Sequence, residues 1–434
     1  MKKILNAGAL FVVFLLWGVN LGFPLQHLQH IRWTLAGHDI PVFYFFIVLP
    51  FVTAAVAVLA LKRQWTRWEV FWWLLPLTCL PGILHSADPL WSMRQWLSWI
   101  IRGVIPGGII FLVADHKRNK ALLLYGIYPI ILAACLLGLS ELYCDHNPLW
   151  DNARIPIPQT LQRDDPLYRP SYSHYDDLVS QRPEGTQGNR IPYAAILLPF
   201  LPLGLWLLKY KKRFYALHLA SISLLVAILL LARVRGVWVG MLAAVLLMAA
   251  TGVQKNFREI AKFVAGTLLC LGLFLALPKT KVLLLDRFHS FHLTENTIQD
   301  RLELLQTVKG LKGRWLSGVG FGQFPTECRP YYRDDRPWRP WPGTPDDQYL
   351  RWTIENGILS FCVLAAFLIG LVRAGWKKIQ LMEDVAEADF YKSLLSGWGS
   401  LVVTFLFFDG FYWGACNMTF WALLGMLAAC LKIP

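Results

Sequence analysis

Apolar runs long enough to cross a membrane recur from one end of this sequence to the other. They cover about 4–24, 40–61, 69–85, 95–114, 121–142, 191–208, 214–232, 235–251, 260–277, 357–373, 392–410 and 413–431. A bilayer core about 30 Å thick takes roughly 20 helical residues. Inside it every backbone donor and acceptor must be satisfied by the protein itself, so only helices or a closed barrel can cross. Period-2 alternation of the barrel kind is absent. The chain therefore reads as an all-α polytopic membrane protein with about twelve transmembrane helices, the third, sixth and eighth short or broken by proline. Charged residues make up only 16%, against roughly 25% in soluble proteins. Length alone would suggest several soluble domains, and that low charge overrides the suggestion.

The net charge of +14 takes its meaning from topology. With the N-terminus in the cytoplasm, short cytoplasmic loops and tails hold Lys2, Lys3, Lys62, Arg63, Arg67, Lys117, Arg118, Lys120, Lys209, Lys211, Lys212 and Arg213. They also hold Lys255, Arg258, Lys262, Arg373, Lys377, Lys378, Lys392 and Lys432. Short connections on the other side carry few. The positive-inside rule then orients the chain and makes the number of spans even. Nucleic acid is not needed to explain the charge. The first run continues to about Phe23 without a small-x-small cleavage site and reads as a span, not a removable signal. Cys144 and Cys328 fall in long external loops, where one disulfide is possible.

This organisation places helices one to five in 1–142, an external loop at 143–190, helices six to nine in 191–277, a large external loop at 278–356, and helices ten to twelve in 357–434. The two external loops are too long to be simple connectors, and the chemistry is expected there. No 6+6 repeat and no long central cytoplasmic loop is found, which weakens a facilitator-type transporter.

Four constellations stand out. Arg233-Val-Arg-Gly-Val-Trp-Val-Gly240 joins two spans with almost no loop. Its arginines either snorkel to the interface or form an anion site, because guanidinium forks suit diphosphate or carboxylate. Asn189 and Arg190 open the sixth span; Asn189 suits a helix cap, and Arg190 falls at the same membrane level as Arg235. Asp300 and Arg301 precede Gly318-Val-Gly-Phe-Gly-Gln-Phe324, a glycine cluster with no following Lys-Ser/Thr and so not a nucleotide loop. Arg301 is either a paired surface charge or a second anion ligand. Last comes Pro345-Asp-Asp-Gln-Tyr-Leu350, followed by Glu355-Asn-Gly-Ile358. Its adjacent carboxylates either cap a helix or supply a general base. Trp338, Trp341, Tyr331 and Tyr332 offer flat surfaces for sugar rings, with loop anchoring an equally good account, and Tyr349 is expected among the substrate-binding residues. A metal site is disfavoured because no third acidic ligand lies nearby, and no Cys/His spacing resembles zinc ligation.

Taken in order, these pieces resemble the bacterial O-antigen ligase and O-antigen polymerase superfamily. Val234-Arg-Gly-Val-Trp-Val-Gly240 is similar to its Ser-Arg-Gly-Ala-Trp-Leu-Gly-like turn. Arg301 with Gly318–Phe324 is similar to its Arg…Gly-x-Gly-x-x-x-Phe segment. Asp346-Asp-Gln-Tyr-Leu350 with Glu355-Asn-Gly-Ile358 is similar to its His-Asn-x-x-Leu…Glu-x-Gly-Ile block. The resemblance implies a GT-C-like bundle with a large periplasmic loop between the ninth and tenth spans, set in the bacterial inner membrane with both termini cytoplasmic. It implies glycan transfer from undecaprenyl diphosphate to a sugar hydroxyl, on lipid A-core in ligases or on another lipid-linked repeat in polymerases. A lipid-linked glycan flippase is the alternative outside this chemistry.

The family's arginines map onto Arg235 and Arg301 as catalytic diphosphate ligands, with Arg190, Arg233 and Asn189 beside them on the substrate. Where the family has histidine then asparagine, this chain has Asp346 and Asp347. A carboxylate can take the proton-accepting role, so Asp346, with Asp347 as second choice, is the expected base. The expected reaction is inverting and metal-independent. It needs no cofactor and no nucleic acid; its partners are the lipid-linked donor, the acceptor and membrane lipids.

Overall fold

A computed structural model describes residues 66–114, 120, 122–144, 189–252, 309, 311, 313–331 and 345–432, with Phe11, Trp17, Gly18 and two short strands. The runs at 4–24, 40–61 and 260–277, nearly all of the loop at 143–190, and Arg301, Trp338 and Trp341 lie outside the described residues, apart from Phe11, Trp17 and Gly18 and the edge of the second strand.

The strands are β1 (Arg32–Leu35) and β2 (His38–Pro41), an antiparallel hairpin with Leu35 opposite His38. This is a small addition to the all-helical expectation. The remaining elements are helical. Thr66 and Glu69 form a reciprocal capping box that starts α1 (Arg67–Leu74), satisfying two donors that a helix N-terminus leaves open. Pro76 and Pro81 then divide the run expected at 69–85 into a 3₁₀ turn (Leu75–Cys79) and α2 (Leu80–Leu84).

Next come α3 (Pro89–Trp99), a π-helical stretch (Ile100–Val104), α4 (Ile105–Val113) and α5 (Tyr128–Cys144). They are followed by α6 (Arg190–Leu197), α7 (Phe200–Tyr210), α8 (Tyr215–Leu231) and α9 (Arg235–Thr251). The last group is α10 (Phe324–Cys328), α11 (Gln348–Gln380), α12 (Val385–Thr404) and α13 (Gly414–Ala429).

Among the described residues six stretches are long and apolar enough to cross a membrane: Pro89–Val113, Leu123–Glu141, Arg190–Tyr210, Lys212–Leu231, Gln348–Gln380 and Gly414–Lys432. Helix α9 is also apolar but shorter; its 17 residues span about 25 Å at 1.5 Å per residue.

Small residues bring these helices together, the usual device where lipid supplies no hydrophobic drive between them. Gly425 of α13 packs on the backbone of Gly107 in α4, and Gly240 of α9 fits against Thr404 and Ser400 of α12. The bundle has two chemically distinct ends. At one, Lys209 pairs with Asp389 at 2.6 Å, and Lys432 pairs with Glu69 at 3.1 Å. Those lysines belong to the set that the charge pattern assigns to the cytoplasm. At the other end, the N-termini of α6, α9, α11 and α13 surround the turn at 405–413. The Gln348 amide donates to Phe405 O at 2.9 Å, Gly236 abuts Phe407, and Cys416 Sγ donates to Pro192 O at 3.7 Å.

Helix α11 is interrupted where Gly357 adopts φ 83°, ψ 158°, a region open essentially to glycine alone. The break lets the Ile358 amide reach Trp315 O at 2.9 Å, and Leu316 O sits where a Cβ would be. Gly357→Ala should therefore destabilise the fold by about 2–4 kcal/mol through backbone strain and overpacking. A lowered melting temperature of the purified protein checks this.

Candidate active site

The first turn of α11 separates two roles that adjacent carboxylates could share. Asp347 is the helix cap: its Oδ1 accepts from the Tyr349 amide at 2.9 Å and the Leu350 amide at 3.1 Å. Asp346 precedes the cap, is exposed, and has φ 48°. Among non-glycine residues, Asp and Asn tolerate that left-handed backbone best. Gln348 fastens the start of the helix, because its Oε1 accepts from the Phe411 amide at 2.7 Å. Tyr349 donates its hydroxyl to Val402 O at 2.7 Å. That hydroxyl is engaged by α12, and the ring lines an apolar groove between α11 and α12.

The arginines gather at the same end. Arg233 follows the last turn of α8, is only 2% exposed, and has φ 57°. Glycine is the usual occupant of that position, so a buried arginine there holds backbone strain. Arg235 is the first residue of α9 and is half-buried. The residue before it, Val234, provides no side-chain cap, and valine is among the poorest cap residues. Arg190 opens α6 and is half-buried; Asn189 caps that helix by accepting from the Ile191 amide at 2.9 Å. Helices α6 and α11 thus carry side-chain caps, while Val234 gives α9 none, and α9 begins with Arg235.

A buried ionic network supports this end, and the sequence reading did not identify it. Arg351 Nε donates to Glu355 Oε1 at 3.0 Å, and its Nη1 donates to Asp409 Oδ2. Its guanidinium lies 3.4 Å from the centre of the Tyr412 ring. Glu355 is fully buried and also accepts from the Gly322 amide at 2.9 Å and the Phe324 amide at 3.1 Å. One carboxylate therefore joins α11 to the glycine-rich loop, and one guanidinium joins α11 to the 405–413 turn. With both oxygens engaged and no exposure, Glu355 is a structural anchor. The signal in the sequence is the i, i+4 spacing of Arg351 and Glu355, visible only when the helix begins at Gln348. Removing one partner of a buried pair costs about 3–5 kcal/mol. Arg351→Ala should lower the unfolding free energy by that amount, and loss of cooperative thermal melting in detergent checks it.

Other residues are also accounted for. Arg314 pairs with Glu327 at 2.6 Å and reaches His85 O at 3.3 Å. Cys328 is a buried free thiol, pushed up to about 12 by burial and, secondarily, by Glu355 and Glu327. Among the described residues, no three His, Cys, Asp or Glu side chains gather as metal ligands.

Residues 220–365 match the family model for O-antigen ligase. The match runs from α8 into α11 and takes in Arg233, Arg235, Arg301, Asp346, Asp347, Arg351 and Glu355. Over that segment, about a third of the chain, the sequence is similar to this family. No curated protein matches the chain.

Proposed function

We propose that this chain, whose residues 220–365 carry the O-antigen ligase match, is a membrane glycosyltransferase. It moves a glycan from undecaprenyl diphosphate to a sugar hydroxyl on lipid A-core. The observation that carries this reading is the gathering of Arg190, Arg233, Arg235 and Asp346 at one end of the bundle, around one turn.

Arg235 and Arg301, with Arg190 and Arg233, hold the diphosphate. Fixed positive charge and the α9 amides favour that group as it departs. Asp346 takes the proton from the acceptor hydroxyl. The oxygen attacks the anomeric carbon from the opposite face, the bond to the diphosphate breaks, and undecaprenyl diphosphate leaves with the electron pair. The proton ends on Asp346 and the product is inverted. Arginines supply the charge, so no metal is required.

The apolar groove of about 500 Å³ between α11 and α12 suits the isoprenoid chain. Tyr349, Phe361, Leu368, Trp376 and Trp398 line it, and Tyr349 lies in the helical turn that Asp347 caps. A polymerase of the same superfamily is the second reading, favoured by the Asp346-Asp347 pair where the family has histidine and asparagine.

Two experiments test this reading. Release of undecaprenyl diphosphate from a lipid-linked glycan should depend on an added acceptor and persist in chelator; release that stops in chelator contradicts the metal-free scheme. For orientation, Thr186→Cys and Gly343→Cys should react with impermeant reagents from the periplasm and Lys378→Cys should not; labelling of Lys378→Cys in intact cells would overturn the topology.

A further inference from the structure

The turn between α7 and α8 reads Lys209-Tyr-Lys-Lys-Arg-Phe214 and lies at the end of the bundle that the charge pattern assigns to the cytoplasm. Its cations fall into two groups. Lys209 is engaged by Asp389 at 2.6 Å; the Tyr210 hydroxyl donates to the same carboxylate at 2.6 Å, and Lys392 lies 3.4 Å from it. Asp384, whose charge also reaches Tyr210, caps α12 by accepting from the Ala386 and Glu387 amides at 2.8 and 3.1 Å. Lys211, Lys212 and Arg213 are different. All three are exposed, and none forms an ion pair among the described residues. Three full charges side by side repel one another, and an anionic membrane surface offsets that cost.

The same turn has an apolar edge. The Arg213 guanidinium lies 5.5 Å from the centre of the Phe214 ring. Phe214 is 53% exposed, and Leu217, three residues on, is 58% exposed. Ala220 continues the row at the same spacing and is exposed too. Residues three apart share one face of a helix, so an apolar row runs from the cations into the span Lys212–Leu231. The neighbouring π-helical stretch Leu122–Ile127 adds Tyr125, which is 78% exposed. Tyr128, three residues further, meets His218 edge to face at 6.4 Å, and His218 meets Phe214 at 6.4 Å. Exposed tyrosine at such a place is typical of a membrane–water boundary. A phospholipid offers an anion and an apolar chain side by side; inorganic phosphate offers only the anion.

We propose that the α7–α8 turn is a binding site for an anionic phospholipid. The lipid phosphate lies against Lys211, Lys212 and Arg213, and an acyl chain lies along Phe214, Leu217 and Ala220. A zwitterionic lipid carries an ammonium beside its phosphate and is held less tightly. The site is independent of the glycan chemistry at the other end of the bundle.

The test uses the full-length protein in detergent, with phosphatidylglycerol and phosphatidylcholine of equal chain length as probes, and native mass spectrometry reads the lipid retained. Wild type should hold phosphatidylglycerol about ten-fold or more tighter than phosphatidylcholine. Lys211→Gln combined with Lys212→Gln should weaken phosphatidylglycerol about ten-fold or more, at roughly five-fold for each basic residue near an anionic headgroup, and should change phosphatidylcholine far less. Both lysines are exposed, so this variant should melt with wild type. Lys377→Gln combined with Lys378→Gln is the control. It removes the same number of charges from the last turn of α11 and should change retention less than two-fold. Leu217→Gln should weaken phosphatidylglycerol while sparing its preference over phosphatidylcholine. Inorganic phosphate in ten-fold excess over lipid should displace none of it. Equal retention of the two lipids by wild type, which needs no variant, overturns the proposal. So does a loss in the Lys377/Lys378 control as large as that in the Lys211/Lys212 variant. Displacement by phosphate would mark a small-anion site and overturns it as well.

Discussion

Asp346→Asn should transfer glycan ~10²–10⁴-fold more slowly than wild type, the usual contribution of a positioned general base, and should melt at the wild-type temperature. The two halves of this expectation rest on separate observations. Asp346 has φ 48°, a conformation asparagine adopts about as readily as aspartate, so the backbone is not disturbed. The helix cap belongs to Asp347, whose Oδ1 receives both first-turn amides, so the cap is not disturbed either. Asp347→Asn keeps an equivalent cap and should be the milder change, and Asp347→Ala should cost about 1 kcal/mol of stability. Asp346→His restores the residue the family carries there, and partial activity would tie the proton-accepting role to this position. Wild-type transfer in Asp346→Asn would remove the base from this position. Glu355 cannot replace it, because both of its oxygens are held by Gly322, Phe324 and Arg351. The base would then be sought in Asp347 or in His289 and His292 of the large external loop, or the departing diphosphate would accept the proton itself.

Arg235→Ala should lower transfer by at least ~10²-fold, since a charge-assisted contact to phosphate is worth roughly 1.5–3 kcal/mol and more where it stabilises a leaving group. Arg235 is half-buried at the first position of a helix whose N-cap residue Val234 gives no side-chain cap, so the substitution removes a full positive charge at that helix start. Arg235→Lys should rescue only partly, because the planar fork is lost. Steady-state transfer assays check both variants. Arg94→Ala is the control, since its guanidinium lies over the Trp91 ring.

The helical class and the six long apolar helices among the described residues were legible because lipid imposes long apolar helices on the sequence. Lys209 and Lys432 lie at the opposite end of the bundle from Arg235, as the charge pattern required. What the sequence concealed depends on where α11 begins. Hydropathy starts that span at 357, whereas the helix starts at Gln348, because its first turns carry Arg351 and Glu355. Those charges depress hydropathy yet are buried, satisfied by Asp409 and by the amides of Gly322 and Phe324. Local pattern cannot show partners so distant in the chain. It also left open which of two adjacent aspartates caps the helix, a matter of single hydrogen bonds.

The central claim is that a glycan bonded to undecaprenyl diphosphate becomes bonded to a hydroxyl. Mass analysis of both lipids after incubation of the purified protein with donor and lipid A-core tests it most directly. The account predicts an acceptor heavier by one whole glycan, with one undecaprenyl diphosphate released for each transfer. Donor recovered intact, merely moved across the bilayer, would contradict it.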